Sequence, residues 1–316
     1  MSRSLAEQHI SSIDDLSHAV AGVAHVEKPY EEGRVTIRKM KILKEPEDKE
    51  FTEAKAKLEM WTNDRKSLET WTLNWFMYWV TCEVASEKDR CEQGIKKAEV
   101  LVEEAQKQLD AANDRIREIE EPHEKLAVDN RSLLKYREEL TELLDSVLQD
   151  GDFPTEKELK SQVDATKATI EKISEDDEKI EQVIKLLKEC DMALLEAIVE
   201  LRQSNDNKTL SEGQVYFPQA AFDALKSARE LYPELPGIPS PVEYRKEADN
   251  TGAYYSPMQK YLWDVRHSLD DLIKWCDAKL LEHMDDKAEQ IIQLGAKTDE
   301  WNLERRRLVR EVILSA

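Results

Sequence analysis

From Cys91 to Val147 an apolar or small residue returns at every seventh position: Cys91, Ala98, Ala105, Ala112, Ile119, Leu126, Leu133, Leu140 and Val147. Ile95, Val102, Leu109 and Ile116 supply a second row, offset by three or four. Only a helix places residues seven apart on one line, and a stripe this narrow with polar flanks is the seam of a coiled coil. Few other folds tolerate such a run. Pro122 lies inside it without shifting its phase. An interior proline removes a hydrogen bond and crowds the preceding turn, so the pattern predicts one kinked helix or two stacked end to end.

A second stripe follows a break. "QDGDFPTEKEL" offers Gly151 as a helix-ending residue, then Pro154 and a capping box of Thr155 with Glu158. Leu159, Thr166, Ile173, Ile180, Leu187, Leu194 and Leu201 form one row, and Val163, Ile170, Ile184 and Ile198 the other, with Asp177 and Asp191 as polar members. Two heptad helices joined by a short loop are expected to fold back antiparallel. Folding about Gly151 brings Ile119 near Ile184 and sets His123, beside Pro122, within about one turn of Asp177. A buried aspartate needs a partner, so His123, Asp177 and Pro122 are expected to form a polar joint, either a pH-sensitive hinge or a register-setting pair.

The apolar character widens at one place. "LETWTLNWFMYWVTCEV", Leu68 to Val84, carries Trp71, Trp75, Phe76 and Trp79. It is too short and too interrupted, by Glu69, Asn74 and Glu83, for a spanning helix of roughly 20 apolar residues. A helix apolar nearly all round is one surrounded by other helices, so these indoles are expected in a bundle core. From Val183 to Leu201 the second stripe also broadens, through Leu186, Leu195 and Val199. The hairpin is therefore expected to be two-stranded near its tip and packed among further helices near its base.

The flanks are read as follows. Residues 1–45 form an N-terminal arm, with a short helix over Ser11–Ala24 ending before Pro29 and then the basic run "GRVTIRKMKILK". That run is either an arm pairing with an acidic body or an anion or lipid patch. Residues 46–204 hold the long helices, with a helix start at Pro46 and the hairpin tip near 149–155. Residues 205–256 are a Pro/Tyr-rich crossover containing a short helix, Pro218–Leu231, expected to turn Phe222 and Leu225 inward. Residues 257–316 return to helical periodicity through Leu262, Val265, Leu269, Leu272, Cys276 and Leu280. Expected contact surfaces are the hairpin tip, Asp150, Asp152 and Phe153, and the crossover tyrosines Tyr216, Tyr232, Tyr244, Tyr254 and Tyr255.

Composition narrows function. A net charge of −21 disfavours nucleic acid and anionic lipid, because phosphate repels an acidic surface. Four cysteines without a CxxC pair read as reduced, buried thiols of a cytoplasmic protein, and the N-terminus has no apolar signal core. An aspartate-rich magnesium motif fails, since Asp270 and Asp271 are followed by Leu272, Ile273 and Lys274. A di-iron bundle needs two ExxH pairs, and Glu120 with His123 supply one, beside Pro122. His18 and His25 stand two turns apart, too far for one metal. No phosphate loop, dinucleotide fingerprint or nucleophile elbow occurs.

The expectation is an all-α protein, an elongated helical bundle with a protruding antiparallel coiled-coil hairpin. No catalytic, cofactor or metal residues are expected. The leading function is a non-enzymatic coiled-coil interaction or scaffold protein, with a protein partner or self-association. The alternative is a helical membrane-active protein, like an α-pore-forming toxin, that shelters the aromatic segment 71–84. Only that alternative brings in a membrane.

Overall fold

The computed structural model describes residues 3–69, 78, 84–148, 153–203, 217–237 and 257–314. They form an all-helical bundle: α1 (Arg3–Val23), a 3-10 turn (Ala24–Val26), α2 (Glu27–Ser67), α3 (Val84–Leu148), α4 (Pro154–Gln203), α5 (Gln219–Leu231) and α6 (Pro257–Leu314). The chain divides into two compact units, Met1–Asp152 with Asn302–Ala316, and Phe153–Trp301.

In the first unit α2 starts earlier than its prolines suggest. Pro29 falls in the first turn of α2, where the backbone N–H has no helical acceptor to lose. The basic run is therefore helical rather than a strand or an extended segment, and α2 continues straight through Pro46, which was expected to start a helix. Two of its cations find acceptors on α3 and one within α2 itself. Lys41 lies 2.6 Å from Glu120, Lys44 donates to Asn113 at 2.9 Å, and Arg34 pairs with Glu31 at 2.7 Å.

The long heptad stripe finds its partner here. α2 and α3 run antiparallel, as the contacts Glu27–Arg137, Lys41–Glu120, Lys44–Asn113 and Arg65–Glu92 require, since one number falls as the other rises. Cys91, Ala98, Ala105, Leu109 and Ile116 are buried, as the spacing predicts, with Ala54 and Leu68 buried on α2. The expected partner of this half of the stripe was the second heptad helix, with Ile119 near Ile184. The observed partner is α2, whose apolar spacing from Phe51 to Leu68 matches the stripe equally well. Heptad periodicity identifies a seam and leaves its partner open. The small seam residues set the spacing. Gly94 lies so close to Trp61 that a Cβ there would stand 2.5 Å from the indole.

α1 packs on α3 through its own row of Ala6, Ile13 and Val20. Pro122 sits within the continuous α3.

In the second unit α4, α5 and α6 share one core. Ile180, Val183, Leu187, Cys190 and Leu194 of α4 meet Leu262, Val265, Leu269, Leu272 and Cys276 of α6, with Ala221 and Ala228 of α5 against them. Ile180, Leu187 and Leu194 are the row the periodicity predicts, while Val183 and Cys190 take the buried places expected of Ile184 and Asp191, one residue further on, which are half-buried. Burial pushes the Cys190 thiol up to about 12 and the Cys276 thiol up to about 11, so both are inert packing groups. The α5 helix forms as expected, but it turns differently. Ala221 and Ala228 are its buried row, while Phe222 is 52% exposed. Two alanines let α5 approach α4 closely, and that close approach directs the phenylalanine outward.

Candidate interaction site

In the first unit, the length of α2 beyond residue 40 and of α3 between Cys91 and Ile119 buries few side chains, on α3 Cys91, Ala98 and Ala105 of one heptad row and Leu109 and Ile116 of the other. Ala54 and Leu68 are the buried residues on α2, while Met40, Ile42, Phe51, Leu58 and Trp61 are half-buried. Ile95, Val102 and Ala112 of α3 are half-buried as well. Two helices alone can cover only the line between them, so the apolar edges of each stripe remain partly in water.

One side of this pair opens into a groove of about 430 Å³. Phe51 and Leu58 line it from α2, and Val102 from α3. Lys55, Glu99, Glu103 and Lys107 stand around these apolar residues. Lys55 Nζ lies 4.2 Å from the centroid of the Phe51 ring, within range of a cation–π contact. Lys107 donates to Glu103 at 2.7 Å, which raises the lysine and lowers the glutamate relative to their ordinary values.

Toward the other end of the α2–α3 pair the contacts become polar and dry. Arg137 grips Glu27 with both nitrogens, at 2.5 and 2.9 Å, and both side chains are under 10% exposed. His123 takes neither role expected of it. Its ring stacks on Tyr30, centroids 4.6 Å apart and 13° from parallel, and Nε2 donates to the Tyr30 carbonyl at 3.0 Å. Gly33 makes room for that ring, since a Cβ there would stand 2.7 Å from His123 Cδ2. Asn130 Oδ1 and Glu47 Oε2 are buried without a hydrogen-bond partner.

The C-terminal end of α6, which belongs to this unit, is held by arginines. Arg306 donates to Asp14 at 2.7 Å and Arg310 donates to the same carboxylate at 2.9 Å. Arg305, 1% exposed, bonds Asp145, and Asn302 donates to Thr141 at 3.0 Å. Burial raises the Asp14 carboxyl, but the bonds from Arg310 and Arg306 outweigh it and hold the group below the usual carboxylate range.

The second unit resolves both polar members of its heptad rows. Asp177, expected opposite His123, accepts from His283 of α6 at 2.9 Å. Asp191 takes Arg266 in a two-pronged bond at 2.6 and 2.8 Å, and the same guanidinium lies 4.7 Å from the Trp263 ring centroid. The predicted joint is thus two separate arrangements, each made with a helix that the spacing did not single out. Periodicity shows that an aspartate on a packed row needs a polar partner but does not say which helix brings it.

Of the other expected surface residues, Tyr232 is buried at 9% and tilts against Trp275 at 6.3 Å, so its ring is core rather than contact surface. Phe153 is half-buried at the start of α4. Asp150, Asp152, Tyr216, Tyr244, Tyr254 and Tyr255 lie outside the described residues, as do Trp71, Trp75, Phe76 and Trp79. Among the described residues no cluster of three or more His, Cys, Asp or Glu could hold a metal ion, and no helix is long and apolar enough to cross a membrane. No family model, curated protein or solved structure matches the chain.

Proposed function

We propose that this chain is a non-enzymatic interaction protein, a scaffold built on antiparallel coiled-coil helices that associates with copies of itself. The observation that supports this reading is the α2–α3 pair, which leaves Phe51, Leu58, Trp61, Ile95 and Val102 half in water. A seam with partly wet edges attracts further helices. The acidic charge favours a protein partner over nucleic acid or anionic lipid. A reducing, cytoplasmic setting suits three free, buried thiols, Cys91, Cys190 and Cys276.

The test is the mass of the full chain in solution, measured by light scattering with and without lipid vesicles, alongside vesicle leakage and tryptophan fluorescence. The scaffold reading expects a particle heavier than one chain without lipid, no leakage, and no blue shift on vesicles at any pH. Leakage accompanied by a blue shift overturns it in favour of a membrane-active protein that inserts segment 71–84.

A further inference from the structure

We propose that the α2–α3 face around this groove is a self-docking surface, covered by the same face of a second copy across a twofold axis perpendicular to the groove. This rests on the scaffold reading and names its contact. The antiparallel register fixes how charge is laid out along the groove. Lys44 meets Asn113 and Trp61 meets Gly94, so Phe51 lies level with residues near 106 and Leu58 with residues near 99. Lys107 therefore stands at the Phe51 end and Glu99 at the Leu58 end. Lys55 lies over the Phe51 ring and adds its charge to the first end. Glu103, between them, is already bonded to Lys107.

Lys107 and Glu103 neutralise each other, so the groove has an apolar floor with Lys55 as its cation toward the Phe51 end and Glu99 as its anion toward the Leu58 end. A twofold axis perpendicular to the groove reverses its direction, so it lays the cationic end of one copy on the anionic end of the other. A parallel arrangement stacks like charges. An isologous contact requires a surface complementary to itself in this sense, and a groove of single sign lacks that property. A uniformly basic or acidic peptide would be attracted at one end and repelled at the other. The floor of Phe51, Leu58 and Val102 supplies the apolar area that two copies remove from water.

The experiment is sedimentation equilibrium of the full chain at low salt, with helix content followed by circular dichroism. Lys55→Glu and Glu99→Lys each raise the dimer dissociation constant at least tenfold, and the double reversal K55E/E99K recovers most of that loss. Val102→Asp abolishes association; if it also loses helix, the exposed charge variants decide. Unchanged association in every variant overturns the groove as the contact and leaves the scaffold reading intact. Losses in both single variants with no recovery in the double overturn the twofold pairing. A wild-type chain that stays monomeric at the highest concentration overturns both the inference and the self-association of the scaffold reading, whereas association that no variant weakens overturns the inference alone.

Discussion

Glu27 opens α2 and accepts both nitrogens of Arg137 in a dry part of the first unit. Breaking a buried ion pair costs about 3–5 kcal/mol, whereas replacing both partners with apolar groups is often close to neutral. Glu27→Ala is therefore expected to lower the urea midpoint strongly, and E27L/R137M to recover most of it. Asp14 gives a pH signature of opposite origin. Its pKa is depressed by two arginine bonds that outweigh burial. A depressed carboxylate contributes fully above its unfolded pKa, about 4, and loses that contribution as pH falls through the folded value. Thermal unfolding is expected to show a loss of stability below about pH 4 that Asp14→Asn makes smaller. Asp14 is nearly one-third exposed, so solvent screening keeps the effect to about 1 kcal/mol.

At the scale of elements, α2 and α3 owe their close approach to missing side chains. Trp61 rests on Gly94, and the His123 ring rests on Gly33. Glycine normally weakens a helix interior by about 1 kcal/mol relative to alanine, so substitution there should help if space allowed it. At Gly94 it does not, because the added carbon meets the body of an indole. Gly94→Val is expected to cost about 1–3 kcal/mol by overpacking, and Trp61→Leu in the same chain to recover part of it. Calorimetry of the two variants against wild type checks both. A Gly94→Val protein as stable as wild type would mean that Trp61 does not pack there.

For the whole molecule the dominant fact is charge. Lys and Arg number 46 against 67 Asp and Glu, giving −21. Like charge destabilises a folded chain through self-repulsion, and salt screens it over about 10 Å at 0.1 M. The melting temperature is expected to rise as NaCl goes from 10 to 150 mM. A fall would mean that the attractive pairs, such as Asp14 with Arg306 and Arg310, outweigh the net repulsion. Lys41 and Lys44 of the basic run already meet Glu120, Asn113 and Asp48.

The all-helical class and the buried rows were written in the order of residues. Repeats of seven mark Ala98, Ala105, Leu109, Leu187 and Leu194 as interior, and they are buried, because a helix turns every side chain by a fixed angle. Pro257 marks the start of α6 for an equally local reason. What periodicity does not contain is which stripe faces which. α2 and the second heptad helix offer equally regular partners for α3, and the tertiary fold decides for α2 through contacts distant in sequence, Trp61 on Gly94 and Lys44 with Asn113. The same holds for the polar joint. The need of Asp177 for a partner is local, but His283 lies 106 residues away and His123 finds Tyr30 instead. Burial is a property of one residue and its helix, while pairing is a property of two surfaces, and only the folded chain brings the second surface.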